Sequence, residues 1–218
     1  MAARFAAPAE AIMQQHWDRT YEEKSLEQLG WYEPDPEPSL ALIDRCELSE
    51  DARIIDVGAG ATLLVDQLLD RGYESLGVLD ISAQALKVLR EQLDSERADQ
   101  VRYINADITD PTVADEIGPV DLWHDRALLH FLLDEDERAS YAEALRTAVV
   151  PGGYAVIAAF AVGGAEMCNG LPVCNYDRDS CQTLVGDDFE LVEWLDHTYH
   201  QPWGDPRPYL YGRFRRRN

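Results

Sequence analysis

Two acidic residues and two glycines form the part of the sequence best suited to chemistry. Asp56 precedes Val57-Gly58-Ala59-Gly60, where the glycines let the chain turn sharply and let a ligand approach its backbone. Asp80 stands about 20 residues beyond, where sites of the Rossmann type hydrogen-bond a ribose hydroxyl. This spacing predicts a site for a nucleoside.

The same segment indicates which nucleoside cofactor fits. A dinucleotide fingerprint has a third glycine for close approach to a pyrophosphate, whereas Thr62 and Leu63 stand near that position. A carboxylate at Asp56 repels phosphate but can receive an ammonium group. We therefore expect S-adenosylmethionine, a nucleoside with an amino-acid tail, rather than NAD or FAD.

A strand and a helix must hold the glycine segment. Ile54 to Val57 is a short apolar run rich in β-branched residues, which predicts a buried strand. Leu64 to Leu69 carries apolar residues at helical spacing, and Gly72 follows at a C-cap position. Helices are also predicted at 8–24, 39–46 and 135–149. Strands are predicted at 76–79, 101–105, 120–123, 154–160, 189–197 and 209–215, the last two as an antiparallel hairpin.

Composition limits the classes of partner. The chain has 218 residues and 46% apolar content, which suits one domain with a substantial core. Its 19 Lys and Arg against 41 Asp and Glu give a net charge of −22, which repels phosphate backbones. We expect no nucleic-acid partner. No stretch approaches the roughly 20 apolar residues of a membrane span, so we expect no membrane partner and a cytoplasmic protein.

Three short motifs resemble one known family. The runs HWDRTY at 16–21 and GWY at 30–32, followed by the glycine segment, resemble bacterial relatives of the elongation factor 1A lysine methyltransferases. GLPV at 170–173 with Tyr176-Asp177 also resembles a segment of these relatives. The resemblance implies a class I methyltransferase fold: a Rossmann-like, seven-stranded, mostly parallel sheet with an antiparallel C-terminal hairpin. It covers nearly the whole of residues 1–218 as a single domain, with an N-terminal helix and aromatic lid at 1–36.

The resemblance also implies roles for the residues around the cofactor. Trp17, Tyr21 and Trp31 would lie over the methionine portion, where an aromatic face stabilises a sulfonium cation. Asp107 would accept a hydrogen bond from the adenine amino group, and Ile108 would pack against the ring; alternatively, Asp107 only caps its loop. The residues expected to bind the cofactor are Trp17, Tyr21, Trp31, Asp56, Gly58, Ala59, Gly60, Asp80, Ile81, Asp107, Ile108 and His124.

Polar residues follow the fourth predicted strand, where parallel sheets bind ligands. His124, Asp125 and Arg126 are the candidate catalytic residues: His124 or Asp125 as a base, and Arg126 as a partner of Asp125 or of an anionic substrate. The relatives carry an acidic-Lys-Gly run here, which Asp125 and Arg126 match in charge order while Ala127 replaces the glycine. The alternative for Asp125 and Arg126 is a structural ion pair.

Residues 162–186 form the least regular part and are the predicted substrate loop. Cys168, Cys174 and Cys181 within it could bind a soft metalloid such as arsenite, although inert buried thiols are common. Neither a paired CxxC nor HExxH appears, so no metal site is expected. A G-x-S-x-G elbow is also missing, so hydrolase chemistry lacks its nucleophile.

We therefore predict a methyltransferase that moves a methyl group from S-adenosylmethionine to a nitrogen, oxygen or sulfur atom of a small molecule, leaving S-adenosylhomocysteine. The alternatives are a protein lysine methyltransferase, an arsenite or thiol methyltransferase, and a non-catalytic cofactor-binding regulatory protein. We expect a monomer or weak dimer.

Overall fold

A seven-stranded sheet forms the centre of the computed structural model, which describes residues 8–218. Its strands are β1 (Arg53–Val57), β2 (Ser75–Asp80), β3 (Val101–Asn105), β4 (Val120–Arg126), β5 (Val149–Phe160), β8 (Phe189–His200) and β9 (Pro206–Arg216). A separate small hairpin joins β6 (Met167–Cys168) to β7 (Leu171–Pro172). The sheet order is β3-β2-β1-β4-β5-β9-β8, with β9 antiparallel to both of its neighbours.

Helices cover both faces of the sheet. They are α1 (Pro8–Glu23), α2 (Glu37–Asp44), α3 (Leu64–Asp70), α4 (Ala83–Gln92), α5 (Ser95–Gln100), α6 (Val113–Ile117), α7 (Glu135–Ala148) and α8 (Arg178–Val185). Short 3₁₀ turns stand at Leu26–Gln28 and Leu129–Phe131. The order of the strands and the hairpin of β8 and β9 confirm the predicted class I methyltransferase fold.

Two apolar layers hold these helices on the sheet. Leu42 of α2, Leu68 of α3 and Leu89 of α4 are buried in the first layer. Tyr141 of α7 and Val185 of α8 are buried in the second, on the opposite face. Side chains alternate between faces along each strand, so both layers draw on β4: Leu122 lies in the first and Trp123 in the second.

Local sequence explains where the structure departs from the predicted elements. Helix α2 begins at Glu37, two residues before its predicted start at 39, because Pro38 stands in the first turn, where proline needs no helical partner. Helix α8 lies inside the predicted irregular loop. The Asp177 side chain accepts from the Ser180 backbone N–H at its start, which is a capping interaction.

Within residues 8–218, no helix combines the length and apolar character needed to cross a membrane.

Candidate active site

A cleft of about 360 Å³ opens at the carboxyl ends of β1, β2 and β4. This is the edge at which open parallel sheets bind ligands. The predicted residues that line it are Trp17, Tyr21, Trp31, Gly58, Asp80, Ile81, Asp107, Ile108 and Arg126. Asp56, Ala59, Gly60 and His124 line a smaller neighbouring cavity of about 50 Å³, which shares Gly58, Trp31 and Arg126 with the cleft.

The Asp80 carboxylate is held in place by two backbone donors. Gly60 N–H donates to Oδ2 and Ser82 N–H donates to Oδ1, each over 2.8 Å. Burial raises the pKa of Asp80 to about 6, although these hydrogen bonds oppose the shift. A carboxylate has more acceptor positions than these two bonds use, so Asp80 can also accept from ligand hydroxyls.

The glycines of the β1–α3 loop adopt a backbone conformation that side chains disfavour. Gly58 has φ +63° and Gly60 has φ +56°. A Cβ at Gly58 would stand 2.5 Å from Leu128, and one at Gly60 would stand 2.3 Å from the Tyr21 hydroxyl. The missing side chains therefore leave room for Leu128 and Tyr21 to pack closely on the loop.

The far end of the cleft contains the residues predicted for adenine. Ile81 and Ile108 contribute apolar walls there. Asp107 Oδ1 accepts from the Thr109 backbone over 2.8 Å and from the Thr109 hydroxyl over 2.7 Å. Asp107 thus caps its own loop and also lines the cleft. The two predicted roles, capping the loop and binding adenine, are therefore compatible.

Aromatic rings cover the other end of the cleft. Trp17 packs edge-on against Trp31 and Phe131, with ring centroids 5.4 and 5.1 Å apart. Trp31 Nε1 donates to the Tyr21 hydroxyl over 3.1 Å. Phe131 was not predicted for the site, and it enters the cleft from the 3₁₀ turn after β4.

Helix α1 is fixed beside the cleft by Asp18, another residue that the sequence analysis did not assign. Its Oδ1 accepts from the Ser82 hydroxyl over 2.7 Å and from the Gln84 N–H over 3.2 Å. Ser82 caps α4 by accepting from the Ala85 N–H. Asp18 of the HWDRTY run therefore ties the aromatic cover to the strand end that carries Asp80.

His124 and Asp56 form a buried pair. They are neighbours on adjacent parallel strands, and His124 Nδ1 lies 2.6 Å from Asp56 Oδ1. Because a carboxylate only accepts, Nδ1 carries the proton, and Nε2 lies 2.9 Å from the Ser39 hydroxyl. All three side chains are buried, and Ser39 lies inside α2. The arrangement resembles a hydrolase triad, but its serine is only 1% exposed.

Asp125 lies on the opposite face of β4 from His124. Its Oδ1 accepts from the Leu128 N–H over 3.0 Å, and its Oδ2 accepts from the Tyr141 hydroxyl over 2.8 Å. The residue is fully buried and does not line the cleft, and burial raises its pKa to about 6. His124 and Asp125 are thus both buried and hydrogen-bonded within the protein, whereas a base must reach the proton that it takes.

Arg126 also differs from its predicted pairing. Its guanidinium contacts Glu33 and a group of tyrosines rather than Asp125. Ala127, at the place where relatives carry glycine, has φ +75°, a conformation that glycine adopts more easily. The replacement therefore keeps the backbone shape that the glycine of the relatives would provide, and stores local strain.

The three cysteines of the predicted substrate loop are not brought together. Cys168 lines the cleft, while Cys174 and Cys181 pack in the apolar layer of α7 and α8. Burial raises the pKa of Cys168 to about 11 and that of Cys181 to about 12, which opposes the thiolate form that binds metalloids. Among residues 8–218, no three His, Cys, Asp or Glu side chains group as metal ligands.

The strand order, the glycine loop and the aspartate at the end of β2 together define a class I methyltransferase. Residues 54–153 match the model of the family described as methyltransferase domain. The fold and this match, which spans a little under half of the chain, support a methyltransferase of the S-adenosylmethionine-dependent type.

Relatives of known identity agree with this class. The chain is 22% identical to EEF1A lysine methyltransferase 2 of Danio rerio over 202 residues, which cover 87% of this chain and 80% of the relative. One similar solved structure belongs to the conversion of a disulfide bond into a thioacetal group during echinomycin biosynthesis. It superposes with a TM-score of 0.74 at 23% identity, covering 94% of this chain and 93% of that one. The 1,6-didemethyltoxoflavin-N1-methyltransferase of Burkholderia thailandensis, with bound 1,6-didemethyltoxoflavin and S-adenosylhomocysteine, superposes with a TM-score of 0.69 at 17% identity, covering 100% of this chain and 94% of that one.

Proposed function

We propose that this chain binds S-adenosylmethionine in the cleft and methylates a nitrogen, oxygen or sulfur atom of a small molecule. The observation that carries the proposal is the convergence of Asp80, Asp107 and the glycine loop on one cleft with an aromatic cover. When bound, the cofactor supplies a methyl carbon on a sulfonium, which an acceptor's lone pair takes as the carbon–sulfur bond breaks. The acceptor's proton then passes to solvent or to a neighbouring base.

The chain's residues have distinct tasks in this proposal. Asp80 accepts from the ribose hydroxyls, and Ile81 and Ile108 pack on the adenine. Trp17 and Trp31 lie over the sulfonium, because an aromatic face attracts a cation and the cover excludes water. With His124 and Asp125 both buried, we expect alignment of the acceptor rather than a strong protein base to provide most of the rate.

A small-molecule acceptor is favoured by the size and walls of the cleft. The Burkholderia thailandensis methyltransferase, which superposes over the whole chain, holds a small heterocycle together with S-adenosylhomocysteine. The second candidate is a lysine side chain of a protein, supported by the similarity to the zebrafish lysine methyltransferase. The cytoplasmic location and a monomeric or weakly dimeric state also remain part of this proposal.

Calorimetry tests the cofactor first. We expect S-adenosylhomocysteine to bind and NADH not to bind. Asp80→Ala should weaken S-adenosylhomocysteine binding about tenfold to a hundredfold, because hydrogen bonds to charged groups contribute roughly 1.5–3 kcal/mol. Asp187→Ala, at an exposed position before β8, is the control and should bind like wild type. Unchanged binding by folded Asp80→Ala would rule out the assignment.

A methyl-donor release assay then separates the acceptor classes. The panel should include amines, thiols, phenols, carboxylic acids, arsenite and elongation factor 1A. Turnover with a small molecule supports the first candidate, and turnover with the protein alone supports the second. A chain that binds the cofactor and releases no product with any acceptor or with cell lysate would be a cofactor-binding regulatory protein.

A further inference from the structure

Arg126 is the one basic residue among the described residues that line the cleft. It stands at the end of β4, next to the loop that carries Gly58, and its side chain is only 11% exposed. The other charged residues of the cleft wall are acidic: Glu10, Asp80, Asp107 and Glu137. Burial of a guanidinium is costly unless charged or hydrogen-bonding partners compensate for it.

The partners of Arg126 use only part of its hydrogen-bonding capacity. Nη1 donates to the Trp31 carbonyl over 3.0 Å, and Nε donates to the Tyr211 hydroxyl over 3.2 Å. The guanidinium lies over the rings of Tyr199 and Tyr209, 5.1 and 5.0 Å from their centroids. Nη2 is buried and has no hydrogen-bond partner within residues 8–218.

Glu33 compensates the charge incompletely. Its Oε2 lies 2.9 Å from Arg126 Nε, but the angle does not make a hydrogen bond, and this oxygen is itself buried without one. The pair therefore leaves Nη2 of Arg126 and Oε2 of Glu33 without hydrogen-bond partners. Buried polar groups of this kind are rare in proteins and call for a ligand or another partner.

The strand order places Arg126 on the side of the cleft where we expect the methyl acceptor. Asp80 and Asp107 follow β2 and β3, which lie on one side of β4 in the sheet. Tyr209 and Tyr211 belong to β9, and Tyr199 to β8, on the other side of β4. The guanidinium thus lies away from the residues assigned to the adenosine, where an acceptor must approach the methyl group.

We propose that the methyl acceptor carries a carboxylate or another anionic oxygen next to the atom that is methylated, and that Arg126 Nη2 binds it. The inference rests on the proposed function, because it names the acceptor class for the same cleft. Arginine suits this task, since its planar fork binds carboxylates while the tyrosine rings hold its orientation. Glu33 pairs with the guanidinium until the methyl acceptor binds.

Binding of benzoate and its neutral isostere benzamide to the protein saturated with S-adenosylhomocysteine tests the proposal. Calorimetry at about 0.15 M ionic strength limits the effect of the overall negative charge. We expect wild type to prefer benzoate. Arg126→Gln should weaken benzoate binding about tenfold to a hundredfold and leave benzamide unchanged, and Arg126→Lys should fall between. Glu33→Gln should strengthen benzoate binding, since it removes the competing carboxylate.

Lys87→Gln is the control for net charge, because Lys87 is exposed on α4 and pairs only at 4.0 Å with Glu91. It should bind benzoate like wild type. Equal affinity for benzoate and benzamide, no benzoate binding by wild type, or an Arg126→Gln variant that binds benzoate normally would each overturn the proposal. So would Arg126→Gln weakening S-adenosylhomocysteine alone, which would assign the arginine to the cofactor's carboxylate. Failure of wild type to bind S-adenosylhomocysteine at all would instead overturn the proposed function.

Discussion

The side-chain amide of Asn169 donates a hydrogen bond to Nε2 of His16 over 3.0 Å, and so joins the β6–β7 hairpin to helix α1. The same amide nitrogen donates to the Thr20 hydroxyl, and Lys24 Nζ donates to Asn169 Oδ1 over 2.7 Å. Asn169 has φ +48° and makes the hairpin turn. The aromatic cover of α1 and the loop that carries Cys168 are therefore held as one unit over the cleft.

Asn169→Ala should separate these two parts of the cover. It removes three side-chain hydrogen bonds, each with a net contribution of about 0.5–1.5 kcal/mol. We expect faster amide hydrogen exchange in both residues 10–23 and residues 166–172. Asn169→Gly, which keeps the turn conformation and loses the same bonds, should behave alike, and this comparison separates the contacts from the backbone. Exchange at the wild-type rate in both variants would show that the contacts do not hold the cover.

Gly60→Ala should weaken cofactor binding because it displaces Tyr21 of the aromatic cover. The new Cβ would stand 2.3 Å from the Tyr21 hydroxyl, so this ring must move, and the positive φ adds strain of roughly 1–2 kcal/mol. Gly118→Ala is the matched control: its φ is +74°, and its Cβ would meet no atom within 4 Å. Both variants should lose stability in thermal unfolding, because each places a side chain at a positive φ, and the contact with Tyr21 adds to the loss at Gly60. Only Gly60→Ala should bind S-adenosylhomocysteine more weakly in calorimetry, by about tenfold or more. Equal affinities in the two variants would contradict a role for Tyr21 packing.

The residues of the cleft were predictable from sequence where they follow strands directly. Gly58, Asp80 and Asp107 each stand at or just after a strand end, and the parallel sheet brings such ends to one edge. Local sequence contains both the strand and the residue after it. The parallel arrangement of the strands then places these residues at the edge of the sheet where the cleft lies.

Alternation along a strand separates two residues that the sequence predicts together at the end of β4. Consecutive residues of a strand point to opposite faces, so His124 and Asp125 could not both face the cleft. Their proximity in sequence therefore does not place both side chains at one site. In contrast, the pairing of His124 with Asp56 depends on the register between β1 and β4, which no local pattern specifies. The contacts of Asn169 with α1 likewise connect distant segments and had no sequence signal.

His130 should make stability fall at low pH. It is fully buried and stacked on Phe160, and Nδ1 accepts the Phe160 N–H. Burial, together with the charge of Arg126, lowers its pKa to about 3 from 6.5. The unfolded chain therefore binds more protons than the folded one in this window, and the contribution of His130 is lost as pH falls from about 6.5 to about 3.

The difference in stability between wild type and a His130 variant isolates this contribution. The comparison is needed because Asp80 and Asp125 have raised pKa values, which change the stability with pH in the opposite direction. His130→Asn retains an acceptor for the Phe160 N–H and does not titrate. We expect the stability advantage of wild type over His130→Asn, measured by urea unfolding, to shrink steadily between pH 6.5 and pH 4. A constant difference across this range would mean that His130 is not held neutral by the fold.

Asp125 should prove to be a positioning residue for the turn after β4 rather than a base. Asp125→Ala leaves the Leu128 N–H and the Tyr141 hydroxyl without their partner, and each unpaired buried group costs about 1–3 kcal/mol in stability. Asp125→Asn keeps the side-chain shape and an acceptor for Leu128, but it cannot take a proton. With an acceptor from the release assay, we expect Asp125→Asn to turn over within about tenfold of wild type, whereas loss of a positioned base costs about 10²–10⁴.

The pH dependence of stability gives an independent measure for the same residue. Burial raises the pKa of Asp125 from 3.8 to about 6, so the folded chain binds more protons between these values, and wild type loses stability as pH rises through them. Asp125→Asn does not titrate, and its stability relative to wild type should therefore increase from pH 4 to pH 6. Single-turnover methyl transfer and urea unfolding on the same samples check both expectations. A drop of a thousandfold in the rate of Asp125→Asn, with its stability intact, would return Asp125 to the role of base.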